Sequence, residues 1–380
     1  MEKTNANTQL PKPSALSVLK VILSIEFAFT KRLYTAPFRG ENGAHSYSRD
    51  VFYAALRAGI TGFTPEQIQH LAWDTESTYK IGAKIHGCQP DSVDLMEGAK
   101  GHWIGKKDAK YVMLFIHGGG FYGPASYGHL KYQFALQKEM AKQGLDFAIF
   151  SLSYTLAPNL VYPTQLQQAA SALQYLLSGQ GRDPSTILLA GDSAGGNLVT
   201  ALLLHLARPH PSVYPVKLSQ PLHGALLISP WVSFDTSEPS FKTNQHSDYI
   251  TTTALERASM AYIALGTTHD TYTQPISAQS AWWSDVAETA VSNVMIWGGG
   301  GEILIDGITK FAAKMESGFN AVGNGAGFQF MVTPKQGHEE MIIDTVFLMG
   351  RKGDSALVVE KWLEDMLKKG NNTGYGNQDI

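Results

Sequence analysis

The chain has 380 residues, 44% hydrophobic and 17% charged, enough apolar material for one large α/β domain with a cap or for two small domains. Its formal net charge of -3, without a strongly basic stretch, argues against nucleic acid as a partner. The single cysteine, Cys88, excludes an intrachain disulfide, reads as a small packing or loop residue, and fits a cytoplasmic protein.

In chain order, the first 85 residues read as mostly helical. Between positions 14 and 33 an apolar run is interrupted by Lys20 and Glu26. It is therefore a poor membrane span, and it lacks the uninterrupted core and small-residue cleavage site of a secretion signal. An amphipathic helix is expected there, with contact to a membrane surface as the alternative. Thr64-Pro65-Glu66-Gln67 marks a helix start. Positions 86 to 110 hold the first strands, His102-Trp103-Ile104 among them. Tyr111-Val112-Met113-Leu114-Phe115-Ile116 is an apolar, β-strand-forming run that predicts a core strand.

That strand runs directly into His117-Gly118-Gly119-Gly120-Phe121. Acyl transfer needs backbone N–H donors aimed at a tetrahedral oxyanion, and glycines let the backbone come close. The N–H groups of Gly118, Gly119 and Ala194 are the expected oxyanion hole. A phosphate cradle is the rival reading, but the Lys-Ser/Thr ending of a P-loop is missing. Ile187 to Ala190 then reads as a buried strand, followed by Gly191-Asp192-Ser193-Ala194-Gly195 and a helical pattern from Asn197 to Leu206. The pentapeptide fits G-x-S-x-G, a sharp turn that exposes a serine hydroxyl at the end of a sheet, ahead of a helix N-terminus that favours negative charge. Gly224 to Ser229 is a further parallel strand. From 235 to 288 the β-α alternation breaks, with Asp248-Tyr249-Ile250 and Trp282-Trp283 inside the break. The alternation resumes with Val291 to Trp297, which ends in Gly298 to Gly301, and with the strand Gly327 to Val332, which leads to Gln336-Gly337-His338-Glu339-Glu340.

On its H-G-G-G and G-D-S-A-G motifs, roughly residues 100 to 365 resemble the hormone-sensitive-lipase family of α/β-hydrolases. The stretches Tyr154-Thr155-Leu156-Ala157-Pro158 and Ile228-Ser229-Pro230-Trp231 support this, and the resemblance is nearest to a fungal branch associated with secondary metabolism. It implies an α/β-hydrolase fold, a mostly parallel sheet flanked by helices with a helical cap. On this reading residues 1–85 form a first cap segment, 86–234 and 289–368 the core, 235–288 a second cap segment, and 369–380 a flexible tail. Thr155 and Asn159 stand where relatives carry Arg and Glu, which removes an ion pair without touching a catalytic role.

The resemblance also implies a catalytic triad in the order serine, acid, histidine. Ser193 is the nucleophile. The family spacing of two acids four positions apart places Glu302 as the acid, where relatives carry Asp, and Asp306 as the runner-up. His338, opening a helix after the last strand, is the base. Phe121, Tyr122 and Trp231 are expected to line the substrate pocket, with Tyr249, Trp282 and Trp283 facing it from the cap. The expected partner is a small apolar ester, hydrolysed without metal or organic cofactor by an esterase, deacetylase or lactonase. An acyltransferase or cyclase on the same scaffold, or a receptor-like binding protein, is the rival reading. A homodimer is common among relatives.

Overall fold

The computed structural model describes residues 12–347 and 352–372, so most of the expected tail lies outside the described residues. Four helices come first: α1 (Ala15–Thr35), α2 (Tyr47–Gly62), α3 (Pro65–Leu71) and α4 (Thr75–Ile85). Each begins where a hydroxyl or carboxylate can accept from an early N–H of its first turn: Ser14, Ser46, Thr64 and Asp74. At Thr64 the signal read from the sequence is a full capping box, closed by Gln67.

The strands β1 (Ser92–Asp94), β2 (Lys100–Ile104) and β3 (Tyr111–Ile116) follow, then α5 (Tyr127–Lys142), β4 (Phe147–Ser153) and α6 (Thr164–Gln174). After them come β5 (Ile187–Asp192), α7 (Ser193–Ala207) and β6 (Gly224–Ile228). Three helices occupy the break in alternation: α8 (Ser240–Thr243), α9 (Thr252–Tyr262) and α10 (Ser280–Thr289). The chain then completes the core with β7 (Asn293–Gly299), α11 (Ile305–Val322), β8 (Gly327–Thr333), α12 (Glu340–Phe347) and α13 (Asp354–Asn372).

The eight strands form one sheet in the order β1-β2-β4-β3-β5-β6-β7-β8. β1 and β2 are antiparallel to their neighbours and the rest are parallel. The fold is the α/β-hydrolase fold. Helices cover both faces, which is why the central strands read as unbroken apolar runs. Along β3, Val112, Leu114 and Ile116 join the core beneath α6 and α7, while Tyr111, Met113 and Phe115 join the one beneath α5 and α13. β8 has a neighbour on one side only, and Gln329 and Val332 are exposed there.

The N-terminal helices and the inserted segment are stitched together by arginines. Arg257 of α9 donates to the carbonyls of Thr61 and Phe63, at the end of α2 where helical carbonyls lack partners. Arg57 of α2 donates to the carbonyls of His246 and Asp248. Arg49 of α2 is buried against Asp344 and Glu340 of α12. Arg49→Ala is expected to cost about 3 kcal/mol, because it strands the Asp344 carboxylate in a buried site. Urea unfolding checks this, and a loss below about 1 kcal/mol, the scale of a surface pair, would contradict it.

α1 departs from the expected amphipathic helix, because it is apolar on two sides. Val21 and Ile25 pack onto α2 opposite Gly62 and Gly59. Leu16, Leu19, Leu23, Phe27 and Tyr34 form an exposed stripe on the other side. No helix among the described residues is long and apolar enough to cross a membrane.

Candidate active site

Parallel strands deliver their following loops to one edge of the sheet, and here the chemistry gathers at that edge. β5 turns into α7 at Ser193, whose φ of +48° is strained for a residue with a side chain. The turn is tight enough that a Cβ on Gly195 would lie 2.0 Å from the carbonyl oxygen of Ile116. Only glycine lets β3 and the start of α7 approach so closely.

The loop after β7 carries Glu302, and the loop after β8 carries His338. Glu302 Oε2 lies 2.7 Å from His338 Nδ1. Glu302 Oε1 accepts from the Ser229 hydroxyl at 3.0 Å and from the Gly299 N–H at 2.6 Å. The carboxylate is therefore held from three directions, and it is fully buried. Asp306, the alternative acid, accepts instead from the Ser240 N–H at 2.8 Å. Asp248, from the inserted segment, joins the two loops. Its Oδ1 accepts from the His338 N–H and its Oδ2 from the Ile303 N–H, at 3.0 and 2.8 Å. Sequence reading missed this role, because a buried aspartate in a loop of irregular structure carries no local pattern.

The glycine loop requires a correction. The Gly118 N–H donates to Asp192 Oδ2 at 2.8 Å, so it is not available to a substrate oxygen. Among the described residues no acceptor lies on the N–H groups of Gly119 and Gly120. Both glycines line the cavity beside Ser193, with φ of +98° and +61°. The N–H groups left unengaged beside Ser193 are thus those of Gly119 and Gly120, one position along from the expected pair. Ala194 stands in the first turn of α7, where N–H groups have no helical partner.

Residues 113–341, more than half of the chain, match a family described as the alpha/beta hydrolase fold. The chain belongs to this alpha/beta hydrolase family. It is 27% identical over 244 residues to the arylacetamide deacetylase of Bos taurus, covering 63% of this chain and 54% of that one. It is 29% identical over 224 residues to an esterase of Acinetobacter venetianus, covering 58% of this chain and 67% of the esterase. It thus spans about half the length of the deacetylase it matches. A crystal structure titled as a hormone-sensitive lipase from a metagenome library superposes with a TM-score of 0.61 at 20% identity, covering 86% of this chain and 99% of that one.

In this alpha/beta hydrolase a cavity of about 170 Å³ opens over Ser193 and His338. Ile60 and Ile68 reach it from α2 and α3, and Tyr249, Ile250, Ala254, Leu255 and Ala258 from the inserted segment. Its walls are mainly apolar. Tyr122 lines it as expected, and so does Tyr249. Phe121 and Trp231 do not. Phe121 is fully buried and stacks on Tyr262 with centroids 3.6 Å apart, and Trp231 packs against Phe121 and Phe234. Both belong to the hydrophobic core. Trp283 is buried against Phe311, and Trp282 packs on Tyr272 and Arg208, so neither faces the cavity.

A second polar group underlies the first. Asp192 Oδ2 accepts from the Gly118 N–H and lies 3.0 Å from His129 Nε2. Liganding atoms of His129, Asp192 and Glu339 all lie within 4.8 Å of one another, a grouping that could hold a metal. His129 pairs with Asp192, while Glu339 meets Tyr249 and His338. Burial pushes Asp192 up to about 7; burial also works to lower His129, but the Asp192 and Glu339 carboxylates together raise it. Burial holds His117 down to about 3, so its ring is neutral where it stacks on Tyr154.

Proposed function

We propose that this protein is a serine carboxylic-ester hydrolase of the hormone-sensitive-lipase type. The observation that carries this reading is the meeting of three loops at one small cavity. Ser193 on its strained turn, His338 backed by Glu302, and the unengaged N–H groups of Gly119 and Gly120 all border the same space.

His338 takes the proton of Ser193 as the serine oxygen attacks the ester carbonyl. The carbonyl oxygen gathers negative charge, which the Gly119, Gly120 and Ala194 N–H groups stabilise. His338 then protonates the departing alcohol, leaving the acyl group on Ser193. Water, activated by the same imidazole, releases the acid. Glu302 holds the tautomer with the proton on Nδ1 and stabilises the cation on the ring. These steps need no metal or organic cofactor.

The cavity volume of about 170 Å³ suits a short acyl chain. An acetyl ester is in keeping with the deacetylase among the relatives, and an ester substrate with the esterase. The resemblance to the secondary-metabolism branch points to a polyketide or terpenoid as the alcohol. The test is turnover of p-nitrophenyl acetate, butyrate and octanoate. The short esters are expected to give the higher kcat/KM, with octanoate at least about tenfold lower, the scale of one lost hydrophobic fit. A folded protein that turns over none of the three would overturn the reading.

A further inference from the structure

Glu339 takes no part in the reaction just described, yet it borders the same cavity as Ser193 and His338. It follows His338 directly, with φ of +49°, and its N–H donates to the Ser229 hydroxyl at 3.2 Å. Its carboxylate is buried. Oε1 lies 3.3 Å from His338 Nε2, and Oε2 accepts from the Tyr249 hydroxyl at 3.2 Å. The imidazole is thus held between two carboxylates, Glu302 on Nδ1 and Glu339 on Nε2. A serine triad needs only the first, because Nε2 is the nitrogen that receives the serine proton.

We propose that Glu339 is a positioning residue for His338, which engages the Nε2 edge of the ring in the resting protein and stabilises the imidazolium that forms when Ser193 gives up its proton. This rests on the triad reading above.

The surroundings favour a charged Glu339. His338 faces Glu302 from the loop after β7, Asp248 and Tyr249 from the inserted segment, and Glu339 beside it. Glu339 itself faces Tyr249, and also Asp192 and His129 from β5 and α5. Burial works against charge on Glu339, but His338 outweighs it and holds the carboxyl down at about 2. Its neighbour Asp192, pushed up by burial, is the acid of the pair that keeps a proton more readily. Burial likewise disfavours the His338 cation, but Glu339 and then Glu302 outweigh it, raising the ring well above a free imidazole. While the ring is protonated it donates to both carboxylates and cannot accept from Ser193. Activity therefore rises only as pH climbs through the titration of His338. Removing the negative charge at 339 weakens the hold on that proton, so the rise must move to lower pH.

Glu339→Gln keeps the shape and removes the charge. The acid limb of kcat/KM for p-nitrophenyl butyrate is expected to move down by about one pH unit or more, the effect of one close opposite charge. The plateau should fall, because the forming imidazolium loses a partner. Tyr249→Phe removes the hydroxyl that shares the Glu339 charge, so its limb should move the other way, to higher pH. Titration of the His338 ring proton by NMR in wild type, Glu339→Gln and Tyr249→Phe reads the same shifts without any turnover, so it stands even if the ester-hydrolase reading fails. A lowered plateau with the acid limb and the NMR midpoint unmoved would mean that Glu339 only packs, and would overturn the proposal. Should Glu339→Gln not fold, an unmoved midpoint in Tyr249→Phe overturns it equally.

Discussion

Exchanging Ser193 for alanine is expected to lower kcat for p-nitrophenyl butyrate about a million-fold, with the melting temperature nearly unchanged. The magnitude follows from the way the site works as a unit. Without the hydroxyl, His338 has nothing to deprotonate except water, and the bound ester sits against donors that stabilise an oxyanion no longer formed by a protein nucleophile. The fold should tolerate the change. Alanine is smaller than serine and meets the same backbone strain at φ of +48°. Among the described residues no hydrogen bond through the Ser193 hydroxyl holds the turn in place. Steady-state assays at high enzyme concentration are needed to see the residual rate. A mutant that keeps more than about a thousandth of wild-type kcat, the scale of one lost oxyanion donor, would mean that Ser193 is not the nucleophile.

Glu302→Gln should reduce kcat about ten-thousand-fold, whereas Asp306→Asn should leave it nearly unchanged. The two acids are four positions apart, and sequence alone ranks them only by family spacing. Their surroundings differ sharply. Glu302 meets His338 Nδ1 at 2.7 Å and is anchored by Ser229 and Gly299. An amide in its place can present an N–H to Nδ1, which favours the tautomer with its proton on Nε2. That ring cannot take a proton from the serine. Asp306 serves the Ser240 N–H, a contact that an asparagine carbonyl reproduces. Parallel pH profiles of the two variants check the assignment, and a larger loss in Asp306→Asn would reverse it.

Local patterns made much of this molecule legible. β3 and β5 could be read because a strand buried on both faces must be apolar throughout, and no loop tolerates such a run. The serine turn could be read because its backbone admits only small residues at fixed offsets. Thr64 to Gln67 announced a helix start because the capping box closes within four residues. His338 could be found from the serine, acid, histidine order that the family resemblance implies, once the last strand was recognised.

Other assignments depended on groups far apart in the chain. The proposed oxyanion donors include Gly120 and leave out Gly118 because Asp192, 74 positions further on, takes the Gly118 N–H. Nothing in H-G-G-G distinguishes a committed N–H from one left unengaged. Phe121 and Trp231 carried the right chemistry for a pocket wall, but Phe121 turned inward to stack on Tyr262, which lies 141 positions along the chain by residue number. Aromatic side chains fit core and pocket equally well, so only packing separates the two.

The sequence by itself determined the α/β order of the elements, the strand-turn-helix that presents Ser193, and the two loops that carry Glu302 and His338. The first two follow from backbone geometry and burial within a few neighbouring residues, and the two loops from the serine, acid, histidine order that the family resemblance implies. Only the tertiary structure decided which N–H groups remain unengaged, which acid meets the imidazole, and that a second carboxylate, Glu339, stands at its other nitrogen. Those outcomes turn on hydrogen bonds a few ångströms long between loops that the sheet brings together, and such distances have no signature along the chain.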